Sequence, residues 1–404
     1  MDCETIQFLS ELAIAFVIAG ICFYFEHRIR QKRKTVNSNS LHVYLTMRNA
    51  KVEKAWHNME KQNGETSPFL YFDYMKCIFQ CTARKLSVLP MIVCVESPAG
   101  EILMIVPVKR YIFSGKLKML GDTQGCGQTD FLFKPGLSEE EVNRCISLFM
   151  HKYEKKLHFN RINEKSMLNS YFAEQNETNI LSSQWPCVRI TFTDNIDIHI
   201  KGLSPSVRQN LRTAYNRIKR DGIEYELKIW LPENTPEHSN RRKLTNLYLQ
   251  RLLGKYKNRK AGNLLYKSYK TIYYKYIKHD SLSLRKLSNA FHAALFVRGE
   301  CMCFMGGFAN HEETRVVIPR LAINDTYKFY SPGYLLICET MKWLASHTAI
   351  REIDLSRGTE KYKIDLGGEL YYTYSYVFAS SNPPHSKNAT HQLKNSKTYK
   401  LNNS

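Results

Sequence analysis

The sequence predicts a mixed α+β fold divided into two halves, residues 41–186 and 187–380. Three observations favour this fold class. A chain of 404 residues is long enough for two or three domains. Hydrophobic residues make up 43% of the chain and aromatic residues 12%, which is enough to bury a sizeable core. Runs rich in β-branched and aromatic residues alternate with helical patterns in both halves.

Residues 1–40 predict a membrane-anchor helix followed by a short polar linker. The stretch Thr5–Phe25 is mostly apolar, and its part Leu12–Phe25 is uninterrupted. Five basic residues follow between positions 28 and 34, and such a flank favours the cytoplasmic side of a membrane. We therefore expect a single-pass protein of the cytoplasmic membrane whose large domains face the cytoplasm. An interfacial or a buried helix is the alternative, because a spanning helix needs about 20 apolar residues.

Residues 41–186 mix strands and helices. Ser67-Pro68 is a helix start signal, and Pro98-Ala99-Gly100 separates two β-rich runs, which predicts a hairpin. Residues 138–155 carry acidic residues early and basic residues late, the order that a helix dipole favours. Strands are predicted at 41–47, 87–96, 101–113, 116–120 and 130–133, and helices at 67–83 and 138–155.

Residues 187–380 show the same mixture. Ser204–Arg220 predicts a helix with Ser204 as its N-cap, Pro205 in its first turn and Gly222 beyond its end. Residues 381–404 are rich in Asn, Ser and Lys and predict a disordered tail. Strands are predicted at 188–192, 223–230, 282–297, 301–308, 315–323, 352–355 and 370–378, and further helices at 236–255, 262–279 and 331–346.

The charge of the chain favours anionic partners. Its formal net charge is +21, and residues 201–286 hold 21 Lys or Arg against 6 Asp or Glu. Within this region Leu244–His279 interleaves Tyr with Lys and Arg. That pattern fits RNA binding, an anionic membrane surface, or a pair of amphipathic helices with buried tyrosines and solvated lysines. Nucleic acid is not the favoured partner.

The cysteines indicate neither a metal site nor a disulfide framework. There are eleven, which is an odd number, and no CxxC pair or Cys/His cluster has zinc spacing. This usage fits a reducing compartment. We expect no bound metal.

Three segments of the second half form a recognisable pattern. The first begins LSPSVRQNLR at Leu203 and ends RIKRDG at Gly222. The second is SPG at Ser331–Gly333, and the third is DLSRGTEKYK at Asp354–Lys363. Their order and spacing resemble the CelD/BcsL-type acetyltransferases of the GNAT superfamily. With matching positions in the first half, the resemblance covers about residues 41–378.

The resemblance implies a specific architecture and activity. The family is similar to the Fem transferases, so it implies two tandem GNAT-like domains, each a mixed sheet flanked by helices. It implies transfer of an acyl group from acetyl-CoA or another acyl-CoA to a glycan or glycolipid precursor in polysaccharide biosynthesis. The alternatives are a Fem-like transferase that uses aminoacyl-tRNA and a non-catalytic scaffold docked at the membrane.

The segment Ser331–Tyr334 is the predicted binding site for the donor. A turn that opens a helix offers free backbone N–H groups and a positive dipole end to a pyrophosphate. Ser331, Pro332, Gly333 and Tyr334 form such a turn, although an ordinary Ser-Pro helix start gives the same pattern. The superfamily loop Gln/Arg-x-x-Gly-x-Gly/Ala keeps only Gly333 here.

The segment Asp354–Lys363 is the predicted catalytic segment. Acyl transfer needs a base for the acceptor and a donor for the leaving thiolate. Asp354 or Glu360 is the candidate base, and Tyr362 is the candidate proton donor. Arg357 and Lys363 are candidates for binding an anionic acceptor. The alternative is a structural ion pair between Arg357 and Glu360 beside a buried Tyr362.

Arg208 and Arg212 are further candidate substrate ligands. They stand four residues apart on the predicted helix 204–220 and therefore share one face of it. Arginines so placed can neutralise phosphates, and a solvated helix face is the equal alternative.

Overall fold

The computed structural model describes residues 38–62, 66–122, 127–153, 157–174, 180–232, 234, 236–257, 287 and 289–378. The predicted anchor helix and the predicted tail lie outside these ranges. Within them, every helix is too short or too polar to cross a membrane.

The first half follows the predicted order of strands and helices, with additions. The predicted helix 67–83 is divided at Tyr71, whose extended backbone (φ −64°, ψ 143°) separates a 3-10 turn, Pro68–Leu70, from the α-helix. The predicted hairpin is present, and its turn contains Gly100 at a φ of +80°. The elements are β1 Ser40–Tyr44, α1 Ala50–Gln62, α2 Phe72–Ala83, β2 Val88–Glu96, β3 Ile102–Tyr111, β4 Leu117–Met119, β5 Leu132–Phe133, α3 Glu139–Tyr153, β6 Leu157–Asn163 and α4 Met167–Glu174.

The second half begins with a long strand and is also mixed. Ser204 caps a helix as predicted, because its hydroxyl accepts a hydrogen bond from the N–H of Val207. The elements are β7 Ile180–Thr191, α5 Ile196–Gly202, α6 Pro205–Arg220, β8 Tyr225–Trp230, α7 His238–Lys257, β9 Ala290–Val297, β10 Glu300–Ala309, β11 Arg315–Ile323, α8 Pro332–His347, β12 Glu352–Arg357, α9 Lys361–Asp365 and β13 Glu369–Phe378.

The described strands of both halves form one mixed sheet of 13 strands. Their order is β1-β2-β3-β4-β6-β13-β7-β12-β11-β10-β9-β8, with β5 beside β3. The last strand, β13, pairs antiparallel with β7 along its whole length and also with β6. The C-terminal strand therefore joins the two halves into a single sheet, where the sequence predicted a mixed sheet in each.

Helices from both halves cover the strands near β11. On one face α6 and α8 bury side chains such as Leu211 and Leu335. On the other face the first half contributes Phe69 and Tyr74, whose rings pack edge-on against Phe308 of β10 at 5.7 and 5.0 Å. The second half therefore shares its core with the first.

Helix α7 covers the predicted basic and aromatic region only in part. Leu244 and Leu247 are buried against β9, β10 and β11. The ring of Tyr248 packs against Phe304 at 6.2 Å. The predicted helix 262–279 lies outside the described residues.

Candidate active site

The parallel strands β11 and β12 pair at their beginnings and separate at their ends. Arg315–Val317 lie in register with Glu352–Asp354, and beyond these residues both strands continue without pairing to each other. The pairing of β12 with β7 also shifts after Asp354. The carboxyl ends of two neighbouring strands therefore face one another across a gap, and among the described strands β11 has no partner on that side beyond Val317.

A left-handed residue, Ser356, turns β12 away from β11. Its φ is +57°, a conformation that a non-glycine residue adopts at a cost. The Ser356 N–H donates a 2.7 Å hydrogen bond to the Asp354 carboxylate two residues earlier, which is the local pairing by which Asp favours turns. Asp354 thus stabilises the distortion that opens the strands.

The gap is a cleft of about 240 Å³. Its apolar wall includes Ile318 and Leu321 of β11 and Leu355 of β12. Polar groups from both halves also line it, and they are Arg161, Arg251, Ser356, Arg357, Glu360, Tyr362 and Lys363. A cleft of this volume is smaller than most pockets that enclose a whole ligand, so it suits an acyl group and the reacting part of an acceptor.

The hydroxyl of Ser356 is an unusual feature of the cleft. The residue is 8% exposed, and its Oγ has no hydrogen-bond partner among the described residues. A buried hydroxyl without a partner loses its hydrogen bonds to water and gains none. Sequence spacing carries no signal for Ser356, Arg161 or Arg251, because their placement depends on a backbone turn and on long-range packing.

Asp354 lies behind the cleft. Its two carboxylate oxygens accept from the Ser356 N–H and from the Tyr371 hydroxyl, both at 2.7 Å. Burial raises the pKa of Asp354 to about 6, because desolvation outweighs these two hydrogen bonds. Both oxygens are engaged inside the protein, so the geometry gives Asp354 a positioning role.

Glu360 and Tyr362 line the cleft directly. Glu360 is about half exposed, and its carboxylate lies 3.0 Å from the Lys363 ammonium. Although burial acts in the opposite direction, the hydrogen bond from Lys363 lowers the pKa of Glu360 below its usual value. Desolvation raises the pKa of Tyr362 to about 12. At neutral pH the cleft therefore presents one carboxylate acceptor and one neutral phenol donor.

Lys363 and Arg357 differ in their availability. Lys363 is buried, and its ammonium donates to the carbonyl oxygens of Leu355, Ser356, Arg357 and Gly358 at 2.9–3.4 Å. It therefore holds the turn after β12. Arg357 is exposed, and its guanidinium stacks 3.7 Å above the ring of Trp185. Arg357 also lines the cleft.

The turn Ser331–Tyr334 opens helix α8 as predicted, but the protein itself occupies much of it. The Ser331 N–H donates to the Lys328 carbonyl, and the N–H groups of Tyr334 and Leu335 donate to the Ser331 carbonyl. Pro332 has no N–H. A Cβ on Gly333 would meet Ile323 Cδ1 at 3.2 Å, so this glycine faces core side chains. The hydroxyl of Tyr334 donates to Asp365 at 2.6 Å.

The arginines of α6 divide into two groups. Arg208 and Arg212 are exposed, with Arg208 donating to the Lys201 carbonyl and Arg212 lying 3.4 Å from Gln209 Oε1. Neither lines the cleft. Arg217 instead contacts the turn before α8, where its guanidinium lies 4.2 Å from the centre of the Phe329 ring and donates to the Phe329 carbonyl.

A second, larger cavity lies in the first half. It has a volume of about 410 Å³ and is lined by residues that include Ser67, Gln128, Asp130 and Ser166. Desolvation raises the pKa of Asp130 to about 7. Gln128 donates at 3.2 Å to the hydroxyl of Tyr371, the residue that bonds to Asp354. A chain of hydrogen bonds thus runs from this cavity to the turn behind the cleft. Within the described residues, no group of three or more His, Cys, Asp or Glu is placed to hold a metal.

A family of known proteins matches part of the second half. Residues 205–364, which contain the cleft, match the family model described as an acetyltransferase (GNAT) domain. This match supports an acyltransferase of the GNAT superfamily. A search of curated proteins found no match.

Solved structures similar to this chain share little sequence with it. A protein of unknown function from Bacteroides thetaiotaomicron has 11% identity and a TM-score of 0.49, covering 84% of this chain and 100% of its own. The L-PGS structure from Bacillus licheniformis has 12% identity and a TM-score of 0.48, covering 86% and 96%. A tandem GNAT protein from the clavulanic acid biosynthesis pathway has 12% identity and a TM-score of 0.47, covering 85% and 100%.

Proposed function

We propose that this protein transfers an acyl group from acyl-CoA to an amino or hydroxyl group of a glycan or glycolipid precursor. The observation that carries the proposal is the separation of β11 and β12 within the residues that match the GNAT model. An extended donor can hydrogen-bond to the edge of β11 that faces the gap, as an additional strand does, because the carbonyls at the end of β12 already accept from Lys363. Its thioester carbonyl would then lie beside the polar groups at the ends of the strands.

Glu360 is the proposed acceptor-binding carboxylate. Its lowered pKa keeps it ionised at neutral pH, so it can accept a hydrogen bond from the attacking amine or hydroxyl and orient it. The acceptor attacks the thioester carbonyl, the carbon–sulfur bond breaks, and the acceptor proton passes to Glu360 or to water. Arg357, which Trp185 holds in place by stacking, would bind an anionic group of the acceptor.

Tyr362 is the proposed donor to the leaving thiolate. Its pKa of about 12 lies above the value of about 8.5 that is usual for a thiol. A phenol with this pKa donates a hydrogen bond to the thiolate without losing its proton. Its contribution is therefore electrostatic stabilisation of the charge that develops on sulfur.

The phosphates of the donor need positive charge near α8. The turn at Ser331–Gly333 offers few free N–H groups. Arg217 lies against that turn through Phe329, and Arg220 is also close to the same ring. Arg220 is already paired with the Asp221 carboxylate, so we assign neutralisation of the phosphates mainly to the Arg217 guanidinium, with the dipole of α8 adding to it.

The test uses the full chain in detergent micelles. Acetyl-CoA is titrated by calorimetry, and free thiol release is followed with a panel of glycan precursors. Glu360→Gln should bind the donor normally and lower kcat by about 100-fold, the usual contribution of a proton acceptor. Glu369→Gln is the matched control, because it makes the same chemical change at an exposed position on β13.

Each outcome of this test decides between functions. Saturable donor binding with a loss of turnover only in Glu360→Gln supports the proposal. Absence of acetyl-CoA binding by the folded chain would overturn acetyl-CoA as the donor, and longer acyl-CoA species and charged tRNA would be titrated next. A chain that binds none of these donors would be a scaffold.

A further inference from the structure

Two loops of the first half lie side by side at one end of the sheet. The first, residues 84–87, joins α2 to β2, and the second, residues 112–116, joins β3 to β4. The Ile112 N–H donates to the Ser87 carbonyl at 3.0 Å, and the next residue, Val88, is in register with Tyr111. Together the loops form one surface, which we term the β2–β4 tip.

The β2–β4 tip exposes three large apolar side chains. Phe113 is 92% exposed, Leu86 is 79% exposed and Ile112 is 55% exposed. Burial of such side chains away from water is favourable, and neighbouring apolar residues that remain exposed mark an interaction surface.

The same tip is strongly basic. Five cationic residues stand in or beside its two loops, and no Asp or Glu occurs at positions 82–90 or 109–118. The nearby carboxylate of Asp122 is buried and paired with Lys109. Burial and the charge of Lys118 lower the pKa of the neighbouring His158, so that imidazole is neutral at pH 7. The cations are Arg84, Lys85, Arg110, Lys116 and Lys118.

The backbone of the tip is held in a defined shape. The Tyr111 N–H donates to the Lys116 carbonyl, and the Gly115 N–H donates to the Tyr111 carbonyl, both at 2.8 Å. Gly115 has a φ of +64°, which suits glycine in a tight turn. Ile112 and Phe113 are therefore presented by a closed turn, so little backbone conformational entropy is lost when their side chains are buried.

We infer that the β2–β4 tip docks onto a bilayer containing anionic lipids. Exposed apolar side chains with neighbouring cations enter the boundary between headgroups and acyl chains, where both kinds of residue are stabilised. Nucleic acid fits the tip less well, because Leu86 and Ile112 have no π face on which a base could stack. The inference does not depend on the acyltransferase activity.

A fluorescent reporter at the tip tests this inference in the full chain. Phe113→Trp is reconstituted in phosphatidylcholine vesicles with and without phosphatidylglycerol, and its emission is followed as acyl-brominated lipid is added. The signal of the parent chain, with its native tryptophans, is subtracted. Ile198→Trp is the matched control, because Ile198 is 61% exposed on α5. Each introduced tryptophan is quenched only when its own position enters the bilayer. The two reporters therefore distinguish insertion of the tip from attachment of the chain through residues 1–40.

We expect quenching of Phe113→Trp in the anionic vesicles, reduced by salt, and little quenching of Ile198→Trp. Adding Arg84→Glu and Lys116→Glu should lower tip insertion by at least about 25-fold, since one cation near an anionic surface strengthens binding about fivefold. Equal quenching of the two reporters, or quenching that is insensitive to these charge reversals, would overturn the inference. Displacement of the tip from vesicles by single-stranded RNA would also count against a lipid partner.

Discussion

Replacement of Ser356 by alanine should raise stability and weaken ligand binding at the same time. The Ser356 side chain is 8% exposed and lines the cleft, and no described residue pairs with its Oγ. Alanine removes only this hydroxyl. The backbone bond from the Ser356 N–H to Asp354 and the left-handed φ of +57° remain. Any change therefore reports on the hydroxyl itself.

The two effects have comparable sizes and opposite signs. A buried hydroxyl without a partner costs about 1–3 kcal/mol. We expect a cost at the lower end of this range, because Ser356 borders an open cleft. The free energy of unfolding of Ser356→Ala should therefore exceed that of the parent protein by about 1 kcal/mol. For a fold of this size that corresponds to a rise in Tm of about 2 °C. If the hydroxyl bonds to the donor or acceptor, its loss costs about 1 kcal/mol of binding, or about fivefold in Kd.

Thermal unfolding followed by circular dichroism and calorimetric titration of the donor measure these effects on the same samples. Thr340→Val is the matched control. The Thr340 Oγ1 is buried and has no partner within the described chain, but it lies in the core beneath α8. This control should gain stability and leave Kd and kcat unchanged. A loss of stability in Ser356→Ala would show that the hydroxyl has a partner in the folded protein, and unchanged kinetics and affinity for every substrate that reacts would refute its binding to a ligand.

Three further predictions concern Lys363 and Asp354 beside the cleft and Gly307 on β10. Lys363→Met should lower the free energy of unfolding by at least about 3 kcal/mol, because four carbonyls lose their donor. Urea unfolding measures this loss and should show no comparable change in the control Lys361→Met, whose side chain is 81% exposed. Since burial raises the pKa of Asp354 from 3.8 to about 6, the folded state binds a proton more tightly than the unfolded state. Stability from this group is therefore present below pH 3.8 and falls by on the order of 3 kcal/mol as pH rises to about 6. Urea unfolding between pH 4 and 7 should show that the free energy of unfolding depends less on pH in Asp354→Asn. An unchanged pH dependence in this variant would contradict the raised pKa of Asp354. Gly307→Ala should prevent folding or lower soluble yield sharply, because the added Cβ would lie 1.7 Å from the carbonyl oxygen of Val317. The control Gly202→Ala should be tolerated, because a Cβ there meets no atom within 4 Å.

The sequence predicted those elements whose local signals agree with their tertiary environment. The capping residue Ser204, the turn at Gly100 and the strand Arg315–Ile323 all appear in the structure. Sequence reasoning missed α1 and β6. The strand β6 is completed only by pairing with β4 and with the distant β13, so its short amphipathic pattern carries little information by itself.

The candidate site was predicted less completely than the fold. Spacing placed Glu360 and Tyr362 in one segment, and both line the cleft. Spacing did not predict that Arg161 of β6 and Arg251 of α7 would reach the same cleft, because those contacts join residues about 200 and 100 positions away. Arg208 and Arg212 share a helix face as predicted, yet nothing in a helical period specifies which neighbour that face will meet.

The segment Asp354–Lys363 illustrates why a motif of ionisable residues is a poor guide to the role of each member. Its two ends, Asp354 and Lys363, are buried, and they bond to the backbone of the turn between them. We term these two buried residues, together with the turn backbone to which they bond, the frame. The residues that face the cleft, including Ser356 and Glu360, lie between its two ends. The left-handed backbone of Ser356 is strained unless Asp354 bonds to it, and the converging carbonyls of the turn lack a donor unless Lys363 supplies one. Loss of activity in variants of either end would therefore show only that the frame is needed. Variants of Ser356 and Glu360 that keep the frame intact are the ones that can identify the chemistry.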